Sequence, residues 1–331
     1  MATPPDQAKP TGEYTVAAPL LSCAFDAGGR FLFAGGRDRG LVIVDTSSGT
    51  QSVVPGHDSW IGSIVRAGDG LVLTSDYQGR VIAWDCRNGA PQPRWTLEAH
   101  PCTIHALSVN LARATFASAD RDGLVRVWRT ADGSPVGELP RLEFPAYGVA
   151  LLPDGKQLVT ADRQPQKPRL QIHDLASGKV LLSVDVPELS GYRRVEDIEW
   201  GGIRGLTVSP DGSQIVACGR NGYDGPACAL LYETGTGRLR QKLSSDLKGG
   251  FYYGARFHPN GLLLTVGGDL GKGELRFWNA DGAVSKGVIT IPGPATAFDI
   301  HPDGTRFAVA SNVGKGSYPD SGLITLHESP V

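Results

Sequence analysis

No stretch of this 331-residue chain approaches the roughly eighteen consecutive apolar residues that span a bilayer. The opening residues, MATPPDQAKPTGEY, contain no apolar core segment, so neither a signal peptide nor a membrane partner is expected. Cysteine is sparse: Cys23, Cys86, Cys102, Cys218 and Cys228 make an odd, scattered set without a CxxC pair. That excludes a disulfide framework and metal-ligand spacing, and it fits a reducing compartment, so a cytoplasmic protein with no bound metal is expected. Cys218 and Cys228 fall on neighbouring strands and read as two small, half-buried hydrophobes. Strong charge of one sign is absent too. The 32 basic and 34 acidic residues are interspersed and the formal net charge is −2, which leaves no basic stripe for nucleic acid. No segment carries a convincing helical period.

Glycine and turns are abundant instead. Gly numbers 44 and Pro 23, with no collagen-like period. One turn signature recurs as Leu-Pro-Asp-Gly (152–155), Ser-Pro-Asp-Gly (209–212), His-Pro-Asn-Gly (258–261) and His-Pro-Asp-Gly (301–304), with a looser Asp-Ala-Gly-Gly at 26–29. Proline presets φ and glycine supplies positive φ, so these are hairpin turns. A second signature ends in Gly49, Gly89, Gly133, Gly178, Gly237 and Gly282, so its copies stand 40 to 45 residues apart except across one gap of 59. That gap holds an insertion, 187–202. Short runs such as Phe31-Leu32-Phe33-Ala34, Leu71-Val72-Leu73-Thr74 and Leu275-Arg276-Phe277-Trp278 lie between the turns and read as strands.

A period of 40–45 residues with four short strands is a propeller blade. Seven blades are expected, starting near Leu20, Ile61, Ile104, Ala146, Ile203, Phe251 and Pro294. The last stops after its third strand, at 323–327. The run Glu13-Tyr14-Thr15-Val16-Ala17 supplies the missing strand and hides two sheet edges by closing the ring. The fold class is all-β, with residues 1–12 a flexible N-terminal tail and 13–331 a single seven-bladed β-propeller of four-stranded antiparallel blades.

These residues resemble the WD40-repeat family, whose blade carries a Gly-His, a Ser or Thr on the second strand, an Asp in the next turn and a Trp-Asp ending the third. Blade three resembles it most fully, with His100, Ser118, Asp122 and Trp128. Blade two has Gly56-His57, Thr74 and Trp84-Asp85, with Gln78 where the Asp is expected. Blade six keeps Thr265 and Trp278. Blades one, four, five and seven put Val44, His173, Tyr232 and His327 in the Trp position. The resemblance implies a buried polar relay from Asp to His to Ser to Trp that pins the strands. It also implies that His100, Ser118 and an Asp form a folding network and not a catalytic triad.

Enzyme signatures are lacking elsewhere. The segments 267–273 and 314–317 are glycine-rich and contain lysine, but the GxxxxGK[ST] spacing is absent and no helix follows, so both read as hairpin loops. His258 and His301 share a turn position and read as repeat features. Long loops collect instead on one face, where fourth-to-first and second-to-third connections meet, and mostly in blades four to seven. That face is the expected partner site, with Trp60, Tyr77, Thr103, Arg121, Tyr192, Arg193, Arg194, Tyr223, Tyr252, Tyr253, Lys272 and Tyr318 as contacts. Tyr, Trp and Arg dominate interface hot spots. The resulting expectation is a monomeric, cofactor-free, non-catalytic scaffold for a protein or peptide. The alternative is a propeller that binds a small molecule or metal in its channel, possibly with enzymatic activity.

Overall fold

The structure, a computed structural model, describes residues 8–328 except 69, 165, 194–197, 200, 270, 280, 283 and 315–318; at 192, 193, 198, 199 and 248 it describes the backbone alone. Seven four-stranded antiparallel sheets surround a central channel. Their inner strands are Leu20–Phe25, Ile61–Gly68, Ile104–Asn110, Ala146–Leu151, Gly205–Val208, Phe251–Phe257 and Ala295–Ile300. Five of the expected starts are therefore the first residue of an inner strand. Pro294 lies just before its strand, and Ile203 lies two residues before its own. A small two-stranded piece, Tyr192–Arg193 with Ile198–Glu199, belongs to the insertion.

The ring closes as expected. Pro10–Val16 pairs antiparallel with the last strand, Ser321–Glu328, with Glu13 opposite Thr325 and Val16 opposite Gly322. The closing strand begins at Pro10, earlier than Glu13, and a proline is tolerated at the first residue of an outer strand because no ladder donor is needed there.

Apolar side chains from both faces of each sheet pack against the next blade. Seven hydrophobic clusters result, one for each seam between blades. Trp84 fills the seam between blades one and two, and Trp128 the next. Polar bonds also cross the seams. The Ser22 and Ser108 hydroxyls accept the Ile64 and Leu151 N–H groups at 2.9 Å each. At the turns, His258 reaches the Gly304 carbonyl at 3.0 Å and His301 reaches that of Gly29 at 3.1 Å, so both turn histidines tie one blade to the next.

The buried relay is present in blades two and three, with a different acid from the one expected. His57 Nδ1 donates to Asp76 at 2.9 Å, its Nε2 meets Thr74 Oγ1 at 2.7 Å, and the Trp84 indole donates to that same hydroxyl at 2.9 Å. In blade three, His100 Nδ1 meets Asp120 at 2.9 Å and Nε2 meets Ser118 at 2.6 Å, while Trp128 donates to Ser118 at 2.8 Å. The acid is thus Asp120 and not Asp122, and the counterpart of Gln78 is Asp76. The reason is strand geometry. The last residue of the second strand points into the sheet, whereas a residue two further on has entered the turn. Asp122 lies 48% exposed beside Arg121. The inward carboxylate has a second role: Asp120 Oδ1 accepts the N–H groups of Asp122 and Leu124, and Asp76 Oδ1 those of Gln78 and Arg80.

Other blades keep parts of the relay. Trp278 donates to Thr265 at 3.0 Å, His173 bonds Thr160 at 3.0 Å, and His327 bonds Thr325 at 2.9 Å. Blade six replaces the His–Asp pair with Tyr252 and Glu274, bonded at 2.6 Å.

Two outcomes are expected. Removing residues 1–19 uncovers the third strand of blade seven and produces aggregation without a cooperative melt; a soluble truncation with one sharp transition contradicts this closure. Asp120→Asn costs about 1–3 kcal/mol in urea unfolding, because it disturbs a buried, fully bonded carboxylate. Asp122→Asn changes stability by less than about 0.5 kcal/mol. Equal effects of the two would reject the assignment of Asp120.

Candidate functional site

The first strand of a blade starts on the face where the fourth strand of the preceding blade ended, and antiparallel alternation brings the second-to-third turn to the same face. The register of this face is unusual. In six blades the inner strand slips by one residue near its start: Leu20/Ser22, Ile61/Ser63, Ile104/Ala106, Ala146/Gly148, Tyr252/Gly254 and Ala295/Ala297. Such a bulge re-aims the extra side chain. The bulged residues are Leu21, Gly62, His105, Tyr147, Tyr253 and Thr296. In blade five, Arg204 occupies the equivalent place, its N–H donating to the Cys218 carbonyl at 2.7 Å. All seven line a cavity of about 510 Å3 along the channel.

A second ring lies just outside, formed by the residue after each inward-pointing end of the second strand. Its members include Arg37, Tyr77, Arg121 and Arg163, whose N–H groups donate to the carbonyls of Pro19, Trp60, Thr103 and Pro145. Arg220 holds this place in blade five. Guanidinium groups and aromatic rings interleave around the mouth. Arg37 stands 5.5 Å from the Trp60 ring, and Trp60 is 5.5 Å from Tyr77. Arg163 lies over Tyr147 at 5.0 Å and donates to its hydroxyl at 2.9 Å. Arg204 and Arg220 lie over Phe251 at 5.1 and 4.5 Å, and His105 stacks on Tyr147 at 4.0 Å.

The electrostatics follow from burial and from crowding of like charge. Burial, reinforced by Arg163, Arg121 and Arg204 against Asp120, holds the His105 imidazole down to about 4. Burial, and then Arg163 and Arg220, lowers the proton affinity of Arg204. By contrast, the relay side chains are sealed: His100 and Asp120 are both 0% exposed. No substrate reaches them, so the Ser-His-Asp set is a folding network.

Residues 91–129 match the family model described as WD domain, G-beta repeat. That stretch runs from the outer strand of blade two to the third strand of blade three and carries the complete relay of His100, Ser118, Asp120 and Trp128. The chain is a seven-bladed β-propeller in which this repeat is of the WD40 type. Similar proteins include the Periodic tryptophan protein 2 homolog of Schizosaccharomyces pombe, 28% identical over 189 residues that cover 55% of this chain and 20% of that protein. DDB1- and CUL4-associated factor 5 of Homo sapiens is 30% identical over 93 residues, 28% of this chain and 10% of that protein, and the Mus musculus protein matches equally. The chain therefore spans about a fifth or a tenth of the length of these relatives.

The mouth of this propeller gathers some of the expected contacts. Tyr77 and Tyr253 line the channel cavity. Trp60, 42% exposed, and Arg121 stand on the rim of the mouth, and Thr103 is buried beneath, its hydroxyl donating to the Tyr77 carbonyl at 3.0 Å. Tyr223 sits 5.7 Å from Arg220. Tyr252 is a correction: it is 0% exposed and bonded to Glu274, so it belongs to the core of blade six. Lys272 is exposed, but it opens the third strand of blade six and is not part of a long loop. The ladder continues through Gly267–Glu274 and Gly268–Gly273, which leaves a loop of only 269–271. These glycines allow close backbone approach, since a Cβ on Gly267 would stand 2.0 Å from the Phe251 carbonyl oxygen. Tyr192 and Arg193 are described only as a backbone strand, and Arg194 and Tyr318 lie outside the described residues. Cys218 and Cys228 are on neighbouring strands, buried, and are free thiols.

His105, Tyr147, Arg163, Arg204, Arg220 and Phe251 were not among the expected contacts. Their signal was positional: His105, Tyr147 and Arg204 share one place at the start of the inner strand, and Arg163 and Arg220 one place at the end of the second strand, read blade against blade, while Phe251 opens the inner strand of blade six.

Burial also holds His327 down to about 4. A histidine whose folded pKa lies below its unfolded value of about 6.5 adds stability above that value and loses it as the pH falls. The urea midpoint is expected to drop between pH 6.5 and 4, and less steeply in His327→Phe, which keeps the stack on Phe307. An identical pH slope in the variant would contradict the assignment.

Proposed function

We propose that this WD40-type propeller is a non-catalytic interaction module that binds a protein or peptide partner across the mouth of its channel. The observation that carries the reading is the double ring of aromatic and guanidinium side chains on one face, built from repeat positions that are small or apolar in other blades. Tyr, Trp and Arg give the largest contact energies at interfaces because they bury much surface with few rotamers to fix. Trp60, Tyr77 and Arg121 are the outer contacts, and Tyr253 lies at the entrance. DDB1- and CUL4-associated factor 5 is by its name a protein that associates with others, which supports the same class of activity here.

A second reading, a small molecule held in the channel, is favoured by one specific feature, the cavity of about 510 Å3 beneath the mouth. A cavity of that size suits a compact ligand.

The test compares baits of equal melting temperature in lysate from the source cells. A Trp60→Ala, Tyr77→Ala double variant is expected to lose at least ten-fold of the captured partner, while Leu181→Asp on the outer strand of blade four retains it. Capture that is lost only in the outer-strand variant moves the site to the outer surface of the ring. A compact ligand released from the purified wild type, with no protein captured, favours the channel reading.

A further inference from the structure

The mouth is chemically two-sided. Around the inner ring, blades three to six contribute His105, Tyr147, Arg204 and Tyr253, while blades seven, one and two contribute Thr296, Leu21 and Gly62. In the outer ring Arg121, Arg163 and Arg220 stand in the consecutive blades three, four and five, with Arg37 apart from them in blade one. Four arginines thus converge over one arc. We propose that this arc holds an anionic group, a carboxylate or a phosphate ester, carried by an extended acidic peptide, while the Thr296, Leu21 and Gly62 side leaves room for its smaller neighbours. The inference rests on the partner-binding reading and names the chemistry of the partner.

Three features point to an anion. First, the guanidinium planes are already stacked, Arg163 on Tyr147 and Arg204 and Arg220 on Phe251, which holds them in place at the mouth. A preordered fork loses less entropy when it meets an oxyanion, so more of the contact appears as affinity. Second, Arg220 is 8% exposed and its Nε has no hydrogen-bond partner among the described residues, nor has the Nε2 of His105. Buried polar atoms of this kind are costly until a ligand meets them. Third, the cations lie near one another: Arg204 feels Arg163 and Arg220, and His105 feels Arg163, Arg121 and Arg204. Among the described residues, acids temper this: Asp120 toward His105, Asp224 toward Arg220, and Asp122 at 3.7 Å from Arg121. A bound oxyanion relieves that repulsion in a partly desolvated site, where charge pairs count for more than in water.

A peptide fits better than a nucleic acid. The arginines occupy one arc of a channel mouth on a chain of net charge −2, whereas a phosphate backbone requires a continuous basic track. An extended chain can place one acidic side chain over blades four and five and continue across the small-residue side.

Fluorescence anisotropy on the full chain tests this with three labelled decapeptides, alternating glycine with glutamate, phosphoserine or lysine. The glutamate or phosphoserine peptide is expected to bind at least ten-fold tighter than the lysine peptide. Arg220→Gln and Arg121→Gln each weaken that binding at least ten-fold, while Arg129→Gln, far from the mouth, changes it by less than two-fold. Arg121 is exposed, so its variant reports on binding even if Arg220→Gln melts early. Whichever acidic peptide binds tighter identifies the source of the negative charge. Equal binding of all three peptides, or acidic binding unchanged in both arginine variants, overturns the proposal. If acidic peptides fail while partner capture still depends on Trp60 and Tyr77, the anion site alone is wrong. If capture is insensitive to Trp60 and Tyr77, the partner-binding reading itself fails.

Discussion

The carboxylate at the end of a second strand is the point on which blades two, three and four turn. Asp76 and Asp120 each take a histidine proton on one oxygen and two backbone N–H groups of the following turn on the other. Asp162 holds its turn through the N–H groups of Gln164 and Arg169 and takes the Arg169 side chain where no histidine is offered. Each acid therefore ties the interior of a sheet to the geometry of one hairpin. The residue directly after it is Tyr77, Arg121 or Arg163, a member of the outer ring. The folding network and the candidate site are adjacent in the chain because one carboxylate builds the first and aims the second.

The same economy governs the inner ring. A bulge at the start of six of the seven inner strands costs one ladder position and turns one side chain toward the channel, and Arg204 takes the equivalent place in blade five. Seven repeats give seven such positions, and only their side chains differ. Closure by Pro10–Val16 keeps those positions in a fixed circle, since an open ring would let the blades separate at the seam between seven and one. A rigid scaffold with variable residues at equivalent points is the physical basis for one fold serving many partners.

Much of this could be read in the sequence, for identifiable reasons. Turn chemistry repeats strictly, so the blade count, the blade starts and the closing strand were accessible from glycine and proline spacing. The relay was accessible as residue types but not as positions. The stretch Asp120-Arg121-Asp122-Gly123 offers two acids, and only the pleat decides which one points inward. Tyr252 and Tyr253 pose the same problem, resolved by a bulge that buries the first and turns the second to the channel. Gly267 and Gly268 resembled a loop because glycine marks both flexibility and close backbone approach, and three-dimensional contact distinguishes the two. The arginine arc was hidden because its members are some 16 to 42 residues apart in sequence and meet only when the ring closes.

The most direct measurement places a photo-crosslinking phenylalanine analogue at Trp60 in one protein and at Leu181 in another, and irradiates both in the source cells. Trp60 stands at the channel mouth, and Leu181 is exposed on the outer strand of blade four. A partner that binds across the mouth gives a discrete adduct from position 60 and none from position 181. An adduct from position 181 with none from position 60 would show that the outer surface, and not the mouth, makes the contact.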